Sequence, residues 1–290
     1  MTASSNVRLD FSDREDLVWL ARMLADVAQA AHEAEPLIVG ALARDLLLFY
    51  GHGIRAPRAT EDVDLALAVE SWKAYATLRE SLLAGGAFRP HTGAAQKLRH
   101  REFGWLDVIP FGAVEQPGGT IAWPPDGAQV MAVLGYAEAN ASATTIVLPQ
   151  GQAARVVSLP MLATLKLLAW QDRHLVAPDR DASDVRFILR NYLEAGNADR
   201  FYTEMSHLLN DDFDFEATGA WLAGHDARAL ILQHGHRADL LLRTLSDLLR
   251  REVDPNGALT LVTQMSATAP ENSLQLLLAF HRGLTGEDAP

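Results

Sequence analysis

Apolar residues recur at Leu17, Leu20, Ala21, Leu24 and Val27, a spacing that lines one face of a helix running to about residue 34. Ser12-Asp13-Arg14-Glu15 ahead of it has the form of a capping box, with Ser12 as N-cap and Glu15 reaching back. Leu37-Ile38-Val39 reads as a short buried strand, Gly40-Ala41 as the turn after it, and Leu42 to Tyr50, apolar almost all round, as a buried helix. Gly51-His52-Gly53 and Ala56-Pro57 mark a loop. From Thr60 to Val69 the period falls to two: Asp62 and Asp64 share one face of a strand, while Val63, Leu65 and Leu67 take the other. Ser71 to Ala84 predicts a helix stopped by Gly85-Gly86. Further strands are expected over 95–100, 105–109 and 144–148, with turns at Pro117-Gly118-Gly119 and Trp123-Pro124-Pro125-Asp126. In the second of these strands Trp105, Asp107 and Ile109 face one way, and Leu106 and Val108 the other.

After about residue 155 the strand signal ends. Ser158-Leu159-Pro160 puts a proline in the first turn of a helix, and helices are expected over 160–174, 181–195, 198–209, 216–223, 225–251, 255–267 and 271–283. No internal repeat or low-complexity segment interrupts them. The expected architecture is an α/β (α+β) N-terminal domain with a mixed sheet over 1–155, followed by an all-helical domain over 156–290.

Composition narrows the classes. The chain has 290 residues, 49% of them hydrophobic, enough to bury a sizeable core. The absence of cysteine excludes disulfides, zinc–thiolate sites and thiol nucleophiles. Met1 to Asp10 is polar and lacks the apolar stretch of a signal peptide, and charged residues punctuate every greasy run, so a cytoplasmic protein that does not span a membrane is expected. The formal net charge of −12 is the wrong sign for non-specific nucleic-acid binding. An RNA or DNA partner would therefore need a local basic patch. Lys97, Arg99, His100 and Arg101 are the candidates, the alternative being a solvated edge strand.

Asp62 and Asp64 change the picture most. Two carboxylates fixed side by side are costly without a counter-charge, and a divalent metal is the usual one. If the strand carrying Asp107 is a neighbour, that residue completes a triad able to hold two ions, one activating an attacking hydroxyl and the other bracing a triphosphate. All-oxygen ligands and a phosphate substrate suit magnesium. The alternative is an ordinary Asp-x-Asp on a strand. The Gly40-Ala41 turn opens a helix, whose first N–H groups can cradle phosphate oxygens; the alternative is a plain strand-to-helix turn. Lys166 shares a helix face with Trp170 and Arg173. It either forms a salt-bridge cluster with Asp181 and Asp184 or neutralises charge on the phosphates. His234 and His236 lack a third ligand at a useful spacing, and no Gly-x-Ser-x-Gly elbow is present.

Gly40-Ala41 followed by Thr60-x-Asp62-x-Asp64 resembles the signature of the nucleotidyltransferase superfamily. The chain looks like the AbiEii/AbiGii-type toxin nucleotidyltransferases in particular. Leu106-Asp107-Val108-Ile109-Pro110-Phe111-Gly112, the segment Leu165 to Arg173, and Asp181-x-x-Asp184 carry that likeness, over about residues 35–195. The resemblance implies that Asp62 and Asp64 are the metal-binding pair and Asp107 the third carboxylate. It implies that Gly40, Ala41 and Thr60 face the nucleotide phosphates, that Lys166 contacts the triphosphate, and that Asp181 and Asp184 are the acidic positions of the last motif. Ala41 departs from the usual Gly or Ser and removes a hydroxyl contact to phosphate.

These readings predict an Mg²⁺-dependent enzyme that transfers a nucleoside monophosphate from an NTP to an acceptor hydroxyl. By resemblance the acceptor is RNA, such as a tRNA 3′ end, or a protein, and the enzyme is the toxin partner of an antitoxin. Two alternatives stand beside it. One is a small-molecule nucleotidyltransferase of the aminoglycoside-modifying kind, which the acidic net charge suits. The other is a nucleotide-binding module without turnover, favoured by Ala41.

Overall fold

The computed structural model describes residues 9–31, 35–58, 60, 62–203, 205–206, 213–235, 237–254 and 256–289. The chain forms two compact units, one of Met1–Ala43 with Arg58–Ser158 and one of Arg44–Pro57 with Leu159–Pro290. No helix among the described residues is long and apolar enough to cross a membrane.

The first unit is built on strands and helices in the order β1 (Leu9–Asp10), α1 (Val18–Ala31), β2 (Leu37–Val39), α2 (Gly40–Asp45), β3 (Asp62–Val69) and α3 (Trp72–Ala84). There follow β4 (Phe88–Pro90), β5 (Lys97–His100), β6 (Trp105–Gly112), β7 (Thr120–Ala122), β8 (Val130–Ala132), α4 (Tyr136–Ala141), β9 (Thr144–Val147) and β10 (Ala153–Val156). Eight strands form one mixed sheet in the order β1-β9-β10-β2-β3-β6-β5-β4, and β7 and β8 form a separate hairpin. Its centre is the parallel pair β3 and β6, in register from Asp62 opposite Trp105 to Val69 opposite Gly112. Val63, Leu65, Leu106 and Val108 are all buried, so the alternation read from the sequence is what sinks one face into the core.

Two expectations for this unit are corrected. The capping box does not form: the Ser12 backbone N–H donates to Asp10 Oδ1 at 2.9 Å, and a 3₁₀ turn over Glu15–Leu17 leads into α1 without a side-chain cap. An aspartate binding the main chain two residues on is a turn in its own right and displaces the helix start. The segment 97–100 is not an edge strand, because β5 lies between β6 and β4. Ser71 does cap α3, accepting from the Ala74 N–H at 3.1 Å. Strands β1, β4, β7, β8 and β10 and helix α4 were not expected; two to six residues carry too little periodicity to announce an element.

The second unit is helical: α5 (Leu159–Arg173), α6 (Pro178–Arg190), α7 (Asp199–Thr203), α8 (Phe215–His234), α9 (Ala238–Glu252), α10 (Thr260–Met265) and α11 (Pro270–Thr285). Residues 44–57 join it, with a π-helical stretch over Leu46–Tyr50 following α2. The expected break at residue 224 is overturned, for α8 runs straight through Gly224 and ends at His234. That glycine is a contact, not a stop. A Cβ there would lie 2.1 Å from the Phe280 carbonyl oxygen of α11, and one on Gly283 would lie 2.1 Å from the Trp221 carbonyl oxygen of α8. The helix expected over 198–209 is seen as Asp199–Thr203, with 204 and 207–210 outside the described residues.

Candidate functional site

The strand register assembles the carboxylates of the first unit. Asp64 stands directly opposite Asp107 on the neighbouring strand, and Asp62, two residues back, shares its face. On the far side of β6, Lys97 of β5 stands opposite Asp107. Its ammonium reaches Asp62 Oδ2 at 3.3 Å and Asp107 Oδ2 at 3.5 Å and lies 5.4 Å from the centroid of the Trp105 ring. Arg99, opposite Trp105, covers the same ring at 4.9 Å. Three carboxylates and two cations therefore crowd one patch of sheet.

Gly40 closes the other side. Val39 pairs with Asp64, and Gly40, which follows it, adopts φ +70°, a conformation that favours glycine. A Cβ at this position would lie 2.0 Å from Asp64 Oδ2. The glycine that opens α2 is thus the residue that lets Asp64 stand where it does. Ala41 is buried, so the position that departs from Gly or Ser directs its methyl into the core. Thr60 precedes the pair and donates its hydroxyl to the Asp62 carbonyl oxygen at 3.3 Å.

Among the described residues no three His, Asp or Glu side chains already close around one point. The reason is visible: Asp62 and Asp107 turn toward the Lys97 ammonium. Asp62 and Asp107 hold one cation between them, and carboxylate oxygens are the kind of donor that a hard divalent ion takes.

The basic segment 97–101 is not one patch. Period two sends Lys97 and Arg99 to the carboxylate face, whereas Leu98 and His100 are buried on the other. His100 stacks on Phe103, accepts from the Glu102 and Phe103 N–H groups at Nδ1, and so presents Nε2–H to Asp26 at 3.0 Å. A cavity of about 380 Å³ lined by Trp19, Thr60, Arg99, Phe103 and Gly104 lies in the same unit.

Lys166, Asp181 and Asp184 come together in the helical unit. Lys166 Nζ is 3.1 Å from Asp181 Oδ1 and 2.7 Å from Asp184 Oδ2, and all three side chains are buried. Arg173 grips Asp181 through two hydrogen bonds of 2.6 and 2.8 Å. Arg44, only 2% exposed, binds Asp184 and, at 2.6 Å, Asp45. Three cations and three carboxylates balance, which is the condition under which charges tolerate burial. Burial pushes the Asp181 carboxyl up, yet the Arg173 hydrogen bond and the Lys166 charge outweigh it and hold that carboxyl below its ordinary range. Arg44 and Asp45 were missed from the sequence. Their one signal was a charged pair inside a run that is otherwise apolar. His234 ends α8, and His236 lies outside the described residues.

A mixed sheet with an Asp-x-Asp strand beside a third aspartate, and a glycine pressed against that pair, defines a protein of the nucleotidyltransferase class. A family model described as nucleotidyl transferase AbiEii toxin, of a type IV toxin–antitoxin system, matches residues 22–275, and the chain belongs to that family. It is a nucleotidyltransferase. No curated protein matches the chain.

Proposed function

We propose that this enzyme transfers a nucleoside monophosphate from an NTP to an acceptor hydroxyl, with magnesium held by Asp62, Asp64 and Asp107. The acceptor oxygen bonds to the α-phosphorus, the bond from that phosphorus to the β-phosphate bridge breaks, and pyrophosphate leaves. When bound, the metal supplies positive charge to the phosphate oxygens and lowers the pKa of the attacking hydroxyl. One observation supports the reading above all others: Asp64 and Asp107 stand opposite each other in register, with Asp62 on the same face.

Residues 1–155 form the catalytic domain in this reading, and 156–290 the helical domain that serves nucleotide and acceptor. Gly40, Ala41 and Thr60 face the phosphates, the first two through backbone N–H groups. The family resemblance assigns Lys166 to the triphosphate and Asp181 and Asp184 to the last acidic motif; within the helical unit the two carboxylates take up the Lys166 ammonium. The acceptor is RNA, with a tRNA 3′ end as the leading example, and the enzyme acts in the cytoplasm as a toxin countered by a cognate antitoxin. The cavity lined by Trp19, Phe103 and Arg99 supports an RNA acceptor, because aromatic side chains can stack on a base while the Arg99 guanidinium suits a phosphate and opposes a polycation.

Wild type and Asp64→Asn are to be incubated with each labelled NTP, Mg²⁺ and total cellular RNA. Label on RNA that falls at least about a hundredfold in the variant is the expected outcome. Equal labelling by the variant, or label on a small molecule alone, overturns the proposal.

A further inference from the structure

We infer that Lys97 is a tethered competitor of the divalent cation: its ammonium neutralises Asp62 and Asp107 in the metal-free protein and must leave when the ion arrives. This rests on the reading of those two aspartates as metal-holding. The geometry points to it directly. Lys97 Nζ lies 3.3 Å from Asp62 Oδ2 and 3.5 Å from Asp107 Oδ2, contacting one oxygen of each carboxylate. Magnesium takes such oxygens at about 2.0–2.1 Å. An ion seated on both would stand at most about 5.4 Å from Nζ, where like charges repel.

The backbone fixes the competitor's address. Lys97 is opposite Asp107 in the antiparallel pair of β5 and β6, so its side chain cannot drift to the other face without a slip of the whole strand. Tethering makes its effective concentration at the carboxylates high, which a free cation has to overcome. The stem has somewhere to go, since the lysine is partly exposed and runs beside the Trp105 ring.

Manganese titrated calorimetrically into the metal-free full chain, with no nucleotide present, tests this. Lys97→Met is expected to bind the ion roughly three- to tenfold more tightly than wild type, the scale of two partly exposed ion pairs removed from competition. Lys97→Arg, which keeps the charge, is expected to stay within about twofold of wild type. Lys97→Gln repeats the measurement with a polar side chain on β5 in case the methionine variant fails to fold. Equal or weaker binding in the uncharged variants overturns the competitor role. If wild type then still binds manganese and Asp62→Asn does not, the metal-holding reading survives that failure. No binding by wild type or by any Lys97 variant overturns both.

Discussion

Gly40 places more constraint on the candidate site than any single carboxylate does. Its left-handed backbone and the 2.0 Å approach that a Cβ would make to Asp64 Oδ2 leave no room for a side chain. Gly40→Ala is expected to push Asp64 out of line, and a displacement of about 1 Å is enough to lower transfer roughly a hundredfold. Strain at a left-handed alanine adds a stability loss on the order of 1–2 kcal/mol. Labelled-NTP transfer and urea unfolding measure the two effects separately, and wild-type transfer by the alanine variant would remove Gly40 from the positioning role. At this scale much of the site was legible in the sequence. Alternation along β3 is enough to put Asp62 and Asp64 on one face, and the same rule aims Asp107. Arg44 was not legible, because the helix that carries it looks uniformly buried and says nothing of a carboxylate 140 residues away. Lys97 was visible as a charge but not as a partner, since only strand register brings it to Asp62.

Among the elements, the contact of α8 with α11 rests on two glycines. A methyl group on Gly283 would meet the Trp221 carbonyl oxygen at 2.1 Å and the His225 N–H nitrogen at 2.7 Å, backbone atoms that cannot swing away. Gly283→Ala is expected to force the helices apart at a cost toward the upper end of the usual 1–3 kcal/mol for overpacking. A lower urea midpoint is the readout, and an unchanged midpoint would mean the pair has slack. Gly224 also shows why helix limits were hard to read. Glycine marks both a helix stop and a close helix crossing, and sequence alone does not separate them. Long elements announced themselves, α1 and β3 by a clear period and α5 by the proline in its first turn, whereas three-residue strands depend on neighbours that local sequence does not name.

Stability of the whole molecule should depend on acid in a defined direction. Asp226 is largely shielded from solvent, which raises its pKa, but hydrogen bonds from His225, Arg200 and Tyr192 outweigh that and bring the carboxyl down to about 2. A carboxyl with a depressed folded pKa binds fewer protons folded than unfolded. Its contribution is therefore complete above the unfolded value near 4 and is lost as the pH falls toward 2; Asp181 acts in the same sense. At pH 7 the shift corresponds to on the order of 2 kcal/mol. Asp226→Asn is expected to lose that much in urea unfolding at neutral pH, with the gap to wild type closing between pH 4 and pH 2. A gap that stays constant across this range would rule out the carboxylate as its source.

The path of the chain between the two units has a practical outcome. Residues 44–57 leave the sheet-bearing half, fold with the helices, and hand the chain back at Arg58. Leu46, Leu47 and Leu48 in that excursion are buried. No single scissile point, least of all one near 155, separates the halves cleanly: an amino-terminal fragment would carry three homeless leucines, and the carboxy-terminal one would lack the guanidinium that answers Asp184. Anyone building a split reporter or a truncated antigen from this protein would do better to graft 44–57 onto the helical fragment, bridging 43 to 58 with a short linker.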